Sequence, residues 1–104
     1  MRANQSERLH RSKEFEIRQS RSRANQIETT IAEFDRMCIE LGHQIAAEEM
    51  RARIYDPSHF AYPTYAKAAR ERRAKLQRSA DALRIELDKL TPGSDDASYR
   101  QFAA

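Results

Sequence analysis

The chain has 104 residues, of which 39% are apolar and 34% charged, with two Gly and no Trp. That length sets a single small unit, and that balance excludes both a thick globular core and a membrane span of roughly 20 apolar residues. A formal charge of +3 is too modest an excess to argue for nucleic acid by itself. The basic start carries no apolar stretch of the kind a secretory signal needs. One cysteine, Cys38, cannot form an internal disulfide, and it suits a reducing compartment.

From about Ser6 to Ile54 the chain contains no Pro and one Gly, Gly42. Positions 17, 24, 31, 38, 45 and 52 hold Ile, Ala, Ile, Cys, Ile and Ala, and positions 20, 27, 34, 41, 48 and 55 hold Ser, Ile, Phe, Leu, Glu and Tyr. Apolar residues at a strict seven-residue repeat are the seam of a coiled coil, so the spacing predicts a first helix over residues 6–54. Ile27, Ile31, Phe34, Cys38, Leu41 and Ile45 are its expected core positions.

A corner is expected over residues 55–62. Pro57 and Pro63 both resist a helix interior, Asp56-Pro57 favours a turn, and Pro63 suits the first turn of a following helix. Tyr55, Phe60, Tyr62 and Tyr65 gather here, half of the eight aromatic residues. They are read as a candidate docking surface, because exposed aromatic clusters mark interfaces.

The second helix is predicted over residues 63–90. Tyr62, Ala66, Ala69, Arg73, Leu76, Ala80, Leu83, Leu87 and Leu90 fall at alternating spacings of four and three. Ala69, Leu76, Ala80, Leu83, Leu87 and Leu90 are its expected core. Thr91-Pro92-Gly93 stops it, and residues 91–104 are read as a disordered, flexible tail.

Two seams, one proline-marked corner and no β pattern give an all-α fold: an antiparallel two-helix coiled-coil hairpin with an overhanging N-terminal segment. A corner at residues 55–62 sets Ala52 opposite Ala66, Ile45 near Arg73, Cys38 near Ala80, Ile31 near Leu87 and Ile27 near Leu90. Charge agrees with that pairing. Six acids (Glu28, Glu33, Asp35, Glu40, Glu48, Glu49) meet six bases (Lys67, Arg70, Arg72, Arg73, Lys75, Arg78). Glu48 and Arg73, the polar residues within the two seams, are expected to pair.

In this register the second helix reaches back only to about residue 28, leaving the preceding segment without a partner. That segment is basic and still carries Phe15 and Ile17. A lone amphipathic helix is marginal in water, so it frays, pairs with a second copy in a homodimer, or docks on another protein. Arg11, Phe15 and Arg18 are its candidate partner-binding residues.

No catalytic, cofactor-binding or metal-binding set emerges. His10, His43 and His59 are scattered, no Gly-rich phosphate loop can be built, and Cys38 has no His three or four residues away. Bases in residues 67–78 interleave with Ala and Leu and not with stacking aromatics, which argues against nucleic acid, although a small basic helical regulator binding nucleic acid or another protein complex is the alternative reading.

The corner Asp56-Pro57-Ser58-His59-Phe60-Ala61-Tyr62-Pro63-Thr64-Tyr65-Ala66-Lys67-Ala68-Ala69 resembles the corresponding segment of alphaproteobacterial proteins classed as flagellar export protein FliJ. Arg8-Leu9, Gln26-Ile27-Glu28 and Ile31-Ala32-Glu33-Phe34 are similar to that group's first helix. The resemblance spans roughly residues 8–88. It implies a cytoplasmic antiparallel coiled coil, peripheral at the flagellar type III export apparatus, with the export ATPase and the membrane export gate as partners. It implies an escort or ATPase-coupling role without catalysis, cofactor or membrane insertion. The second helix here stops at Thr91-Pro92-Gly93, earlier than the family's.

Overall fold

The computed structural model describes residues 4–90; the expected tail lies outside them. Two helices pack against each other as an antiparallel hairpin: α1, Gln5–Ala52, and α2, Thr64–Leu90. At 1.5 Å per residue, the 48 residues of α1 run about 72 Å and the 27 of α2 about 40 Å.

The start of α1 is set by Asn4, whose side-chain oxygen accepts from the Glu7 N–H at 2.8 Å, with Glu7 adding negative charge to the first turn. Its end comes at Ala52, two residues before the expected Ile54. Arg53 turns into the left-handed region at φ 57°, and the Ile54 N–H reaches back to the Glu49 carbonyl. The Arg53 N–H bonds to the same carbonyl, so this is a left-handed C-cap, here formed without the usual glycine. Ile54 then folds against the core.

The corner is closed by local hydrogen bonds. Asp56 Oδ1 accepts from both the N–H and the hydroxyl of Ser58, and the His59 N–H donates to the Asp56 carbonyl. The Tyr62 N–H donates to the His59 carbonyl, and the Ala61 N–H to His59 Nδ1. Pro63 sits just before α2; its carbonyl accepts from the Lys67 N–H, the first bond of the new helix.

The core is a single seam. Leu41, Ile45, Tyr62, Ala66 and Ala69 form its corner end, with Ile54 and Leu76 packed against them. Ala24, Ile27, Ile31 and Ala80 are buried farther along. Ala66 and Ala80 have no exposed surface, so the two backbones approach closely at both places. Of the other expected core positions, Phe34, Cys38, Leu76, Leu83, Leu87 and Leu90 are half-buried, which is what a two-helix seam open on both flanks can offer.

The register differs from the expected one by about one helical turn. Arg73 faces Cys38 and Gly42, not Ile45: the Cys38 thiol points at the Arg73 carbonyl (3.8 Å), and an added carbon on Gly42 would meet Arg73 Nη1 at 3.4 Å. Consequently α2 covers more of α1 than the expected limit near residue 28. Arg23 Nη2 pairs with Glu86 at 2.8 Å, and Ala24 is buried. Among the described residues Ser20 is the first half-buried position.

Candidate functional site: an exposed arm, an aromatic corner and a polar lock

Every residue over positions 4–19 is exposed, although all but the first are helical. Helical spacing puts Ile17 seven residues before Ala24, on the line of the buried stripe; the next such step falls on His10, with Leu9 the residue before it. Ile17 and Leu9 stay 52% and 59% exposed because no helix lies opposite among the described residues. Phe15, 55% exposed, stands on a different face, where it lines a shallow hollow with Arg18, Gln19 and Ser22. Arg11 and Arg18 are exposed beside them. The arm is thus a helix with apolar side chains in water and a basic fringe.

The opposite end of the hairpin is the corner, which splits the four aromatic residues. Phe60 is 96% exposed and stacks on the His59 ring, centroids 4.8 Å apart. Tyr55 is largely exposed, and so is Tyr65, whose hydroxyl donates to Gln44 Oε1 across the helices.

Tyr62 corrects the sequence reading: it is 8% exposed and offers no docking surface. Its place in the seam prevails over its membership of the aromatic cluster. Its hydroxyl donates to Glu49 Oε2 at 2.9 Å and accepts from Arg70 Nε at 2.8 Å, and Arg70 Nη2 reaches the same carboxylate oxygen at 3.1 Å. The Arg70 guanidinium also lies 5.9 Å from the Tyr62 ring centre. Three side chains from α1, the corner and α2 therefore lock the closed end of the hairpin.

This lock replaces the expected Glu48–Arg73 pair. Glu48 instead accepts from Arg51 Nη1 on its own helix at 2.9 Å, and the carboxylate turned inward is that of Glu49. The cause is geometric. A straight helix lags a seven-residue repeat by ~20° per heptad, so after several heptads the buried line passes to the next residue. Counting from Ile17, Glu49 and not Glu48 stands on that line. Opposed charge blocks were visible in the sequence, but not which members touch. The pairs formed farther along are Asp35–Arg84 at 2.6 Å and Arg23–Glu86.

Electrostatics follow from these contacts. The Arg70 hydrogen bond, then that of Tyr62, hold the Glu49 carboxyl below the usual range. Bonds from Tyr62 and Glu49 raise the Arg70 guanidinium. Asp35 raises Arg84, and the Ser58 backbone and hydroxyl lower Asp56. None of these groups lies in a closed cleft. Among the described residues no three His, Cys, Asp or Glu side chains converge as a metal site, and no helix is long and apolar enough to cross a membrane. Cys38 is half-buried in the seam.

Fold and surface together define a class, the antiparallel helical hairpin with one helix projecting beyond the other. No protein-family model, curated protein or solved structure matches the chain.

Proposed function

We propose that this chain is a non-enzymatic interaction protein of the flagellar type III export apparatus, acting as an escort or as an ATPase-coupling component through the helix surface it presents. The observation that carries the interaction role is the arm: Ile17 continues the hairpin's seam one heptad before Ala24, with Leu9 and Phe15 also exposed on the arm, and among the described residues nothing lies across from them. An exposed apolar stripe of this kind is stabilised by a partner helix. The assignment to flagellar export rests on the resemblance of the corner and first helix to the FliJ family. That resemblance makes the export ATPase and export gate the partners to look for, in the cytoplasm or at its membrane face. Against the nucleic-acid alternative, the bases of residues 67–78 interleave with Ala and Leu and not with stacking aromatics, and Arg70 among them is committed to Glu49 and Tyr62.

The test is affinity purification of the tagged chain from a flagellated alphaproteobacterium. Recovery of the export ATPase or a gate component, lost on Leu9→Asp/Ile17→Asp, is the expected result. Recovery of neither overturns the flagellar assignment.

A further inference from the structure

The two flanks of the hairpin use their charges differently. On one, Glu49–Arg70 and Asp35–Arg84 pair acid with base across the helices, and Arg84 also holds Asp81. The other is crossed by the Tyr65–Gln44 bond near the corner and by the Arg23–Glu86 pair farther along. Met37 lies seven residues before Gln44 and Arg72 seven after Tyr65, so both stand on this second flank. Phe34, three residues before Met37, and Leu76, four after Arg72, edge the seam on the same side, with Leu83 one heptad beyond Leu76. Phe34, Met37, Leu76 and Leu83 are only half-buried, while Ala66 and Ala80 are fully covered. The large apolar side chains of the seam therefore lean toward the second flank, where nothing covers them among the described residues.

The charges bordering that flank are unpaired. Glu33 and Glu40 stand four residues before and three after Met37, and the same offsets from Arg72 give Ala68 and Lys75, all of them exposed. Among the described residues Glu33, Glu40, Arg72 and Lys75 form no ion pair. Acid on α1 and base on α2 thus border one apolar strip. Interpolated between the cross-hairpin bonds, Glu40 stands level with Lys75, and Ala47 with Ala68.

From this pattern we infer that the second flank is the contact between two copies of the chain, packed side by side as a four-helix bundle. The two-fold axis runs along the hairpin, so that α1 of each copy lies on α2 of the other. Each residue keeps its height under that rotation. Glu40 then meets the partner's Lys75, small Ala47 lies against the partner's Ala68, and both contacts occur twice. Phe34, Met37, Leu76 and Leu83 of the two copies enclose a common core. The opposite packing, α1 on α1, stacks acid on acid and base on base, and charge disfavours it. Both arms project from the same end, beyond this contact, so the pairing does not depend on the export assignment.

The experiment follows the mass of the full chain by light scattering and sedimentation equilibrium across a concentration series, with helicity by circular dichroism as the control for folding. The expected result is a species of twice the chain mass that Met37→Lys converts to a monomer. Glu33→Lys/Glu40→Lys, and separately Arg72→Glu/Lys75→Glu, each weaken self-association about tenfold or more. All four changes in one chain restore it, and so does mixing the two double variants, because opposite charges again face each other at both contacts. A monomer at every concentration overturns the inference, as does a dimer indifferent to both charge reversals. A dimer lost on Ile17→Asp but kept on Met37→Lys overturns it too, because the arm is then the contact.

Discussion

Among the described residues Glu49 is the one charged side chain at a buried position, and its environment explains how a narrow seam accepts it. A buried carboxylate is costly unless its oxygens are satisfied, and here one oxygen takes hydrogen bonds from both Arg70 and Tyr62. Because these bonds favour the charged form, the folded-state pKa lies below the ordinary 4.5. The linkage then has a definite sign. The stabilisation is present above that ordinary value and is lost as pH falls through the lowered one. Thermal melts between neutral pH and about pH 3 should show wild type losing stability with a steeper acid limb than Glu49→Gln, which has no proton to bind at that position. Asp56, lowered by its bonds to Ser58, contributes with the same sign. Tyr62→Phe keeps the ring in the seam but removes the hydroxyl, so a loss of about 1 kcal/mol in denaturant unfolding is expected. No loss would mean that the Arg70–Glu49 contact holds the corner without it.

At the scale of the elements, each helix carries a feature that departs from the simplest design. Gly42 stands in the middle of α1, where glycine costs roughly 0.5–1 kcal/mol relative to alanine. An added carbon there would touch only the mobile end of Arg73, at an ordinary contact distance of 3.4 Å. Gly42→Ala should therefore stabilise the hairpin by about 0.5–1 kcal/mol in denaturant unfolding. Destabilisation would show that the Arg73 guanidinium cannot move aside. The two helices also differ in how far they are supported. The buried positions of α1 run from Ala24 onward, against α2, whereas residues 5–19 are all exposed and held by their own helix, through its backbone bonds, the Asn4 cap and the His10–Glu14 contact at 3.0 Å. Hydrogen exchange should divide α1 accordingly, with fast exchange over residues 5–19 and slow exchange from about Ala24 to Ile45. Uniform protection along α1 would show that the arm is already covered in solution.

For the whole molecule, the consequence is a hairpin with two unlike ends. The corner end is locked by Tyr62, Glu49 and Arg70 and displays Phe60 on a turn whose backbone is tied at Ser58, His59, Ala61 and Tyr62. At the other end, among the described residues, α1 projects alone. Docking of the proposed partner at the arm is predicted to leave the hairpin closed. It should raise arm protection and helicity and leave the corner unchanged.

Helix number, helix type, the proline-marked corner and most seam positions were legible from the sequence, because they rest on local preferences: a sustained heptad repeat, two prolines and a capping aspartate. Ile27, Ile31, Leu41, Ile45, Ala69 and Ala80 are buried where the repeat puts them. The projecting arm was legible too, since the unequal lengths of two antiparallel helices leave one end uncovered. Burial of particular polar and aromatic side chains was not. Glu49 takes the seam in place of Glu48 because a straight helix drifts against a seven-residue count, and a count carries no information on supercoiling. Tyr62 turns inward and Phe60 outward because the corner's hydrogen bonds set where each backbone position faces. The register, and with it where the arm begins, depends on how closely two backbones approach at Ala66 and Ala80, and contact between distant segments is decided only when both helices are in place.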